Sequence, residues 1–461
     1  MTTNILNLSG YAVTKVDETE HDYHVTAEVS NPPATCSSCG SDRLIGHGRT
    51  DQVIRDLPSH GKRVAIYVAP RRWRCQACGK TTTELLPAVN TKREMTERLV
   101  TWIGHQSLGR TFTSIAEDTG LDEKTIRNIF RDHVNELEAQ FRFEAPKWMG
   151  IDEIHLIRPR CVISNIQNNT IVDMLVNRNK DTVINYLSNL AGRHEVQYVA
   201  MDMWAPYRDA VQAVMPNAKI VIDKFHVVRM ANDALERVRK GLREQLTAKQ
   251  LRGLMHDRFV LLKRERDLND RERQLLDGWT ANYPDLGVAY RLKEDFYGIY
   301  EKASSPQEAM RSYAAWNRSV VPQVRDAYAD LIRAWSTWQP WIINYFEHPV
   351  TNAYTESLNS LIRVMNRLGR GYSFEALRAK ILFTEGTHKL TRVRPKFERR
   401  RGTGDMGYGV SKDAMGFYGI PPGHIGKTVF EGEHQHRTDA VEINFGAHIP
   451  TLISLIESGR L

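Results

Sequence analysis

The chain changes its pattern of hydrophobic and polar positions several times, and each change predicts a different kind of structural element. Between residues 147 and 223, short apolar runs alternate with stretches of helical spacing. Apolar runs of this length predict strands, and apolar positions three and four apart predict amphipathic helices. The predicted strands are 147–157, 161–167, 170–177, 196–202 and 218–223, with helices at 181–191 and 205–214. This order of elements predicts a mixed α/β core.

The segments around this core have other patterns. Residues 1–30 alternate weakly, as a pair of strands does, and residues 91–141 have helical spacing. Residues 227–345 are also helical, strongly charged and rich in Trp. Because this block separates the predicted strands from a later helix that carries Glu356, we interpret it as an insertion into the core. The glycine-rich stretch 401–426 predicts a linker or an irregular loop.

Composition adds a prediction about partners. The 461 residues include 63 Lys and Arg against 55 Asp and Glu, a net charge of +8. A basic balance favours a polyanionic partner such as nucleic acid. No apolar run approaches the roughly 18 residues of a transmembrane helix. The first residues lack the charged-then-apolar order of a signal peptide, so we expect a soluble intracellular protein.

Four of the five cysteines form two pairs with a spacing typical of metal ligands. The pairs are Cys36 with Cys39 and Cys75 with Cys78. Each pair is followed by a glycine, which permits the backbone to curl under the sulfurs. Two such pairs predict a closed, structural four-thiolate zinc site. Redox pairs or disulfides are the alternatives, and neither explains two matched turns. Cys161 lies in an apolar stretch and is expected to be buried.

A short basic segment leads into the second cysteine pair. It consists of Arg71, Arg72, Trp73 and Arg74. Basic residues around an aromatic ring suit the phosphate backbone of DNA with one stacking contact. A solvated strand end explains the same segment equally well.

A pair of helical patterns meets at Gly120, a residue that supplies a left-handed turn. Asp122 can cap the second helix, whose apolar positions are Ile126, Ile129 and Phe130. The positions left outside are Lys124, Thr125, Arg127, Asn128 and Arg131. In a helix-turn-helix unit these positions meet bases and phosphates, although many helix pairs of this kind do not bind DNA.

Three acids recur where a catalytic metal site needs them. Asp152 and Asp202 each end a predicted strand, and Glu356 lies in a helical pattern. Adjacent strand ends place two acids at one sheet edge, and a helix packed across that edge can supply the third. Hard cations select oxygen ligands, and a pair of Mg²⁺ or Mn²⁺ ions can activate water and stabilise the leaving oxygen of a phosphodiester. These three acids are therefore the candidate catalytic residues.

Other residues compete with these acids or support them. The rival ligands are Glu153, Asp173, Asp209 and Asp223. Asp223 also ends an apolar run, and His226 follows it by three residues. His226 can orient Asp223 or donate to a phosphate, and a purely structural hydrogen-bonded pair is the alternative. Tyr207 is expected to pack in the core rather than to contact DNA.

The helix of Glu356 has two distinct faces. Its predicted apolar face consists of Leu358, Leu361, Ile362, Met365 and Leu368. Glu356 shares another face with Asn359, Arg363 and Arg367. That face offers a metal ligand, an amide and two cations along a possible phosphate track, and Asn359 is predicted to support catalysis.

Together the motifs resemble the ISL-three group of insertion-sequence transposases, which have a DDE catalytic core. The matching elements are the paired CxxC turns, Gly150-Ile151-Asp152-Glu153, Asp202-Met203-x-x-x-Tyr207, Asp223-Lys224-Phe225-His226 and Thr355-Glu356-Ser357-Leu358-Asn359. The resemblance covers roughly residues 31 to 390. It implies an RNase H-like fold interrupted by a helical insertion, with Asp152, Asp202 and Glu356 as the triad. The Asp223-x-x-His226 element is similar to one that supports the active site in hAT and Mutator-like elements.

The resemblance implies binding to the terminal inverted repeats of an insertion sequence, metal-dependent DNA cleavage and strand transfer into target DNA. It also implies a homodimer, because two ends must be joined together, and a location in the bacterial cytoplasm at the nucleoid. The alternatives are an RNase H-like nuclease without strand transfer and a transposase-derived DNA-binding regulator without catalysis. All three acids are present, which argues against a decayed enzyme.

The patterns and the resemblance divide the chain into six predicted segments. They are a zinc-ribbon domain at 1–88, a helix-turn-helix domain at 89–145, the first part of the core at 146–228, the helical insertion at 229–347, the second part of the core at 348–400 and a tail at 401–461. The tail has no assigned role, and its His434 and His436 are expected to lie in a polar loop rather than to bind a metal.

Overall fold

The computed structural model describes residues 7–141, 143–386 and 389. The predictions for residues 401–461, including His434 and His436, lie outside the described residues, as does the end of the predicted segment 348–400. None of the helices in the described ranges combines the length and the apolar character that a membrane span requires.

Two small sheets form the N-terminal part of the chain. Their strands are β1 (Tyr11–Glu18), β2 (Asp22–Val29), β3 (Leu44–Arg49), β4 (Gln52–Ser59), β5 (Lys62–Val68), β6 (Arg71–Cys75) and β7 (Thr81–Thr83). The larger sheet has the order β1-β2-β5-β4, and the smaller has the order β3-β6-β7. The smaller sheet carries Cys75 at the end of β6, so the cysteine pairs and the basic segment belong to one structural unit.

Three helices follow, and local capping explains where they begin. They are α1 (Glu97–Gly109), α2 (Phe112–Thr119) and α3 (Glu123–Gln140). The side chains of Thr96, Thr111 and Asp122 each accept a backbone N–H from the first turn of the helix that follows. Gly120 ends α2 at φ 68°, in the left-handed region that favours glycine. Helix α3 begins directly after the predicted cap Asp122 and ends at Gln140, within the stretch 91–141 that was predicted to be helical.

A five-stranded sheet lies at the centre of the described chain. Its strands are β8 (Trp148–His155), β9 (Pro159–Asn165), β10 (Thr170–Leu175), β11 (Tyr198–Met201) and β12 (Lys219–Ile222), in the order β10-β9-β8-β11-β12. Strands β8, β9 and β10 pair antiparallel, whereas β11 is parallel to both β8 and β12. The crossovers between the parallel strands are α4 (Lys180–Asn189) and α5 (Ala205–Val214). All seven predicted elements are present, and their ends lie within two residues of the predicted ends.

The remaining helices lie between β12 and the end of the described chain. They are α6 (Lys224–Gly241), α7 (Ala248–His256), α8 (Arg258–Leu262), α9 (Asp270–Asn282), α10 (Pro284–Lys302), α11 (Pro306–Ser319), α12 (Pro322–Ile342), α13 (Ala353–Leu368) and α14 (Phe374–Glu385). Helix α6 begins directly after β12, so the predicted boundary between 228 and 229 falls inside a helix.

The two faces of the central sheet are covered by different sets of helices. On one face, Met149, Ile151 and Ile163 share a buried core with α4, α5 and helices α6 to α12. On the other face, Ile154 and Val162 share a core with α13, α14 and all three helices α1 to α3. The sheet is buried on both sides, which explains why its strands are continuous apolar runs rather than alternating ones.

The core of helices α10 to α12 is built around an aromatic cluster. Trp335 is 1% exposed and stacks on Tyr313 with ring centroids 4.2 Å apart. Phe296 meets the same indole edge-on at 5.8 Å. Aromatic side chains bury large apolar areas and form favourable stacked and edge-on pairs. This cluster therefore fixes how these helices pack on one another.

Replacing Trp335 by Ala should lower the free energy of unfolding by about 3–5 kcal/mol, since it removes a large buried side chain and leaves a cavity. Chemical denaturation monitored by circular dichroism measures the loss. The control is Ile157→Ala, at a position that is 87% exposed, where a change within about 0.5 kcal/mol is expected. Equal stabilities for the two variants would contradict this account of the core.

Candidate active site and metal centres

Three aspartates lie side by side at one edge of the central sheet because of the strand register. Met201 of β11 pairs with Ile151 of β8 and with Ile222 of β12. These three strands run in the same direction, so the residues that follow the paired positions are also neighbours. Those residues are Asp152, Asp202 and Asp223. Asp152 and Asp223 are buried, and Asp202 is partly buried.

Glu356 reaches this edge because the start of α13 is attached to the sheet. The Asn352 Nδ2 donates to the Ile151 carbonyl at 3.2 Å, and the hydroxyls of Thr355 and Ser164 are 2.6 Å apart. Gly150 permits this close approach. A Cβ at this position would lie 2.5 Å from both hydroxyl oxygens and would also collide with Asn352 Oδ1. The glycine of the Gly150-Ile151-Asp152 segment is therefore a packing requirement of the site.

His226, in the first turn of α6, is the centre of the resulting cluster. Its Nε2 lies 2.8 Å from Asp202 Oδ1 and 3.3 Å from Glu356 Oε1. Ligand atoms of Asp152, Asp202 and His226 all lie within 4.8 Å of one another, and so do those of Asp223, His226 and Glu356. The structure thus brings the three candidate catalytic acids together with Asp223 and His226. Five side chains face one small volume, and they come from β8, from the residues directly after β11 and β12, and from α6 and α13.

The hydrogen bonds around Asp152 hold it in place. Its Oδ1 accepts the backbone N–H of Glu153 at 2.7 Å, and its Oδ2 accepts the Asn359 amide at 2.7 Å. Asn359 is 2% exposed and lies one turn after Glu356 on α13. The same helix therefore contributes an acid to the cluster and an amide that orients another acid. The supporting role of Asn359 in catalysis stays a prediction, and its contact with Asp152 is the structural basis for it.

The electrostatics of the cluster show a shortage of positive charge. Burial, followed by the charge of Asp202, raises the pKa of Asp152 to about 7. Burial likewise raises the pKa of Asp223 to about 6. Burial disfavours the charged form of His226, but its contact with Asp202 and the surrounding acids outweigh this effect and raise its pKa to about 9. One imidazole therefore faces four carboxyl groups.

The donor set fits divalent cations. Among the described residues, the buried Asp223 Oδ2 and Asn359 Oδ1 have no hydrogen-bond partner. Buried oxygens without partners are costly, and carboxylate and amide oxygens are the ligands that Mg²⁺ and Mn²⁺ prefer. Bound divalent cations would account for both the unpaired oxygens and the excess of acids.

The other rival acids are engaged elsewhere. Asp173 forms a double hydrogen bond with Arg378, at 2.7 and 2.9 Å. Asp209 pairs with Arg208 at 2.8 Å, and the side chain of Glu153 pairs with Arg178. Of the four rivals, the structure places Asp223 alone in the cluster. Tyr207 is 1% exposed and packs in the core, as the sequence suggested.

The four paired cysteines form a second cluster at the small sheet. The sulfurs of Cys36 and Cys78 are 3.8 Å apart, those of Cys39 and Cys75 are 3.6 Å apart, and all four lie within 4.8 Å of one another. Gly40 and Gly79 follow the two pairs at φ 74° and 73°. Each donates its N–H to the carbonyl of the first cysteine of its pair. The backbone N–H of Cys78 is the main cause of a lowered pKa of Cys75, about 6. The cluster can therefore supply thiolates to one metal ion.

Three models of known protein families match this chain. A family model described as a transposase, of the DDE type in the ISL3 family, matches residues 149–381, about half of the chain. A model of the zinc finger of transposases IS204, IS1001, IS1096 and IS1165 matches residues 32–78. A model of the helix-turn-helix domain of the ISL3 transposase family matches residues 84–134. The chain belongs to the ISL3 family of transposases.

Curated relatives of this ISL3-family chain are themselves described as transposases. The transposase for insertion sequence element IS1001 of Bordetella parapertussis is 24% identical over 377 residues, covering 79% of this chain and 92% of the relative. The transposase for insertion sequence element IS1557 of Mycobacterium tuberculosis is 24% identical over 281 residues, covering 54% of this chain and 62% of the relative. The three family matches also confirm the predicted order of zinc ribbon, helix-turn-helix and transposase domain.

The residues predicted to bind DNA lie in different surroundings. In α3, Lys124, Arg127 and Arg131 are exposed, whereas Thr125 and Asn128 are half-buried. The Thr125 hydroxyl donates to Asp122 at 2.7 Å, so it also serves the helix cap. Arg127 pairs with Glu123 at 2.9 Å. A DNA phosphate would have to compete with that surface ion pair, which is a weak interaction.

The side chains of the basic segment point alternately to the two faces of β6, and their exposure alternates accordingly. Arg72 and Arg74 are exposed, and Arg71 and Trp73 are half-buried. Arg71 pairs with the buried carboxylate of Glu84 at 2.7 Å. It also donates to the Val29 carbonyl at 3.0 Å. Arg71 therefore holds the two small sheets together, and its DNA contact stays a prediction with less support than those of Arg72 and Arg74.

The buried face of α13 differs from the apolar face that the sequence predicted. Leu358 and Ile362 are buried, but Leu361 is 38% exposed and Leu368 is 63% exposed. The helix is attached at its N-terminal end, where Asn352 and Thr355 contact the sheet, and less of its C-terminal half is covered. Arg363 and Arg367 are exposed on this helix, beyond Glu356. Their position is compatible with the phosphate track that the sequence suggested.

Sequence reasoning missed the residues that attach α13 to the sheet. Gly150 and Thr355 belong to motifs that carry the family resemblance, but no role followed from them, and Ser164 and Asn352 were not singled out. The signal available was a pair of small polar residues at the start of the helix, Asn352 and Thr355, spaced to share one face. Only the structure shows that both meet Gly150.

Replacing Gly150 by Ala should push the start of α13 away from β8, because the added Cβ overlaps three side-chain oxygens. We expect a loss of about 1–3 kcal/mol in the free energy of unfolding, together with weaker binding of Mn²⁺ measured by calorimetry. The control is Gly278→Ala, in α9, where an added Cβ meets nothing within 4 Å. That variant should gain up to about 1 kcal/mol from helix propensity. Unchanged Mn²⁺ binding in the Gly150 variant would contradict the positioning of Glu356 described above.

Proposed function

We propose that this protein is a DNA transposase that cleaves the ends of its own insertion sequence and joins them to target DNA. The observation that carries the proposal is the placement of Asp152, Asp202 and Glu356 around His226. Asp152 and Asp202 form one close group with His226, and Glu356 and Asp223 form a second group with the same histidine. These acids come from two strands and a helix that are far apart in the chain. The relatives' descriptions as transposases for insertion sequence elements support the same conclusion.

The fold of the catalytic part supports this assignment. We interpret the sheet β10-β9-β8-β11-β12, with its three antiparallel and two further parallel strands, as an RNase H-like core. The helices from α6 to α12 separate β12 from α13 in the sequence and pack on one face of the sheet. We interpret them as a helical insertion, whose role in this scheme is to cover the sheet and to extend the surface beside the site.

Asp152, Asp202 and Glu356, with Asp223 beside them, would hold Mg²⁺ or Mn²⁺. Such ions activate the attacking oxygen and neutralise charge on the leaving oxygen of a phosphodiester. The protein's own residues prepare the site. Asn359 fixes the orientation of Asp152, and the sheet register fixes the spacing of the aspartates. His226 lies between Asp202 and Glu356, where it keeps two acids in place.

The proposed reaction has two steps at the same site. In the first, water attacks the phosphorus at an end of the element, and the P–O3′ bond breaks to leave a 3′-hydroxyl. In the second, that hydroxyl attacks a phosphodiester of target DNA and displaces the 3′-oxygen of the target strand. Both steps exchange one P–O bond for another, so no oxidant or energy source is needed.

The N-terminal units would recognise the DNA. We propose that the zinc ribbon and the helix-turn-helix unit bind the terminal inverted repeats, with Arg72, Arg74, Lys124 and Arg127 among the contacts. The net charge of +8 favours binding to double-stranded DNA. Because two ends have to be joined in one event, we propose that the protein works as a homodimer, at the bacterial nucleoid.

Asp152→Asn should abolish DNA cleavage and strand transfer while sparing DNA binding, since an amide is a weaker cation ligand of the same shape. The substrate is a labelled duplex that carries the end of the element flanking the gene, incubated with Mg²⁺ or Mn²⁺. Denaturing gels measure nicks and joined products, and a mobility shift measures binding. A loss of roughly 100-fold or more in rate is expected for removal of a metal ligand.

The matched control is Asp209→Asn, the same chemical change at an aspartate that pairs with Arg208 outside the cluster. It should cleave and join DNA at the unmodified rate. Nicks without joined products from the unmodified protein would indicate a nuclease, and binding without nicks would indicate a regulator. Either result would overturn the proposed function.

Purified protein should contain one zinc ion per chain, because the four clustered thiols form one closed tetrahedral site. Mass spectrometry of the native protein and a colorimetric zinc assay measure the stoichiometry. Cys39→Ser should lose the metal and weaken folding of the small sheets, since metal binding contributes folding energy. Cys161→Ala, at a cysteine buried in the central core, should retain it. Zinc-free protein with intact DNA binding would contradict the structural role of the site.

A further inference from the structure

Lys380 on α14 is a buried lysine that lies outside the carboxylate cluster. It is 1% exposed. Its ammonium group donates to the carbonyl of Ser107 and, at 2.8 Å, to the carbonyl of Arg110. These carbonyls belong to the end of α1, in the helix-turn-helix unit, whereas α14 belongs to the part of the chain matched by the transposase model. One side chain therefore joins the two units.

The end of α1 needs such a partner. The last four carbonyl groups of an α-helix accept no hydrogen bond from within the helix. A positive charge near them is favourable because the helix dipole is negative at this end. Helix α1 has no basic residue in its own last turn. Lys380 supplies the missing cation from a position that is 270 residues away in the sequence from Arg110.

The same ammonium group also contacts the other two helices of the unit. It lies 4.6 Å from the ring centre of Phe112, at the start of α2, and 5.3 Å from that of Phe130, in α3. The ring of Tyr372, just before α14, lies 4.9 Å from it. A cation over aromatic faces is stabilised most where water is excluded. Lys380 thus contacts α1, α2 and α3 at once.

Stability alone does not account for this arrangement. Burial lowers the pKa of Lys380 to about 7, which means that the charged form is disfavoured at this position. A buried charged group can often be replaced by a packed apolar one without loss of stability. The contacts of the ammonium group with two carbonyls and three rings depend on geometry. They therefore fix where α14 lies against the three helices.

Helix α14 is also fixed to the sheet that carries the catalytic acids. Arg378, two residues before Lys380, holds the buried Asp173 of β10 through two hydrogen bonds at 2.7 and 2.9 Å. Its guanidinium also donates to Glu138 of α3 at 3.2 Å. Through Arg378 and Lys380, a single turn of α14 connects the central sheet to α3.

We propose that Lys380 is a positioning residue that fixes the helix-turn-helix unit relative to the carboxylate cluster, so that cleavage falls at a set distance from the bound DNA sequence. This inference rests on the proposed function. It assigns no contact between Lys380 and DNA, and it does not require Lys380 to take part in the chemistry.

The test uses Lys380→Met in the full-length protein, with the same element-end duplex and Mg²⁺. Cleavage products are mapped at single-nucleotide resolution, and the Kd is measured by fluorescence anisotropy. The Kd should change by less than about threefold, because the exposed face of α3 is intact and such a factor is under 1 kcal/mol. Cleavage at the original phosphate should fall by roughly 100-fold for a displacement of about 1 Å, and cuts at neighbouring phosphates should appear.

The distribution of cuts separates positioning from general stability. A merely destabilised protein loses all cuts in proportion and keeps the same phosphate. Lys302→Met, the same change at an exposed lysine of α10, should leave both rate and position unchanged. A Lys380→Met variant that folds and cuts only at the original phosphate would overturn the proposal.

A second variant and a hydrogen-exchange measurement test the proposal if Lys380→Met does not fold or if the unmodified protein does not cut DNA. If Lys380→Met does not fold, Glu138→Gln weakens the connection from the exposed side of α3 and should spread the cuts in the same way, to a smaller extent. If the unmodified protein does not cut DNA at all, the proposed function fails. Hydrogen exchange then tests the connection alone. The amides of α1 and α3 should exchange faster in Lys380→Met while those of β8 and β11 stay unchanged, and equal rates would contradict the connection.

Discussion

The structure depends on holding four carboxyl groups close together against their mutual repulsion. Asp152, Asp202 and Asp223 are forced together by hydrogen-bonded register between parallel strands, and Glu356 is added by a helix attached at Gly150. Burial is the main cause of the raised pKa values of Asp152 and Asp223, and the charges of the neighbouring acids add to it. Bound divalent cations would offset both effects, which links the geometry of the site to its proposed chemistry.

The two faces of the central sheet pack against different parts of the chain. One face is covered by the helices from α6 to α12 around an aromatic core. The other carries α13 and α14, and through them the helix-turn-helix unit. The helix-turn-helix unit and the carboxylate cluster are therefore connected through a packed core and a buried lysine rather than through a loose linker. For the proposed transposase, this connection would provide a physical basis for cutting at a defined distance from the bound sequence.

Much of the fold could be predicted because it depends on local pattern. The apolar runs between residues 147 and 223 predicted strands and helices with nearly the observed ends, and Asp122 and Gly120 marked the turn before α3. Other features could not be predicted, since they depend on partners distant in sequence. Arg71 looked like a DNA ligand, but Glu84 and Val29 occupy its guanidinium. Leu361 and Leu368 matched an apolar face that the fold leaves exposed.

The sequence by itself determined the elements, the cysteine turns and the three catalytic candidates, because spacing, capping and strand ends are properties of short segments. Only the tertiary structure decided which acids share a site. It selected Asp223 over Asp173, Asp209 and Glu153 by pairing those three with arginines. It also placed Gly150 against Asn352 and Lys380 against α1. The contacts of Asp173 with Arg378 and of Lys380 with Arg110 join residues 205 and 270 positions apart, and no local pattern records which distant groups will meet.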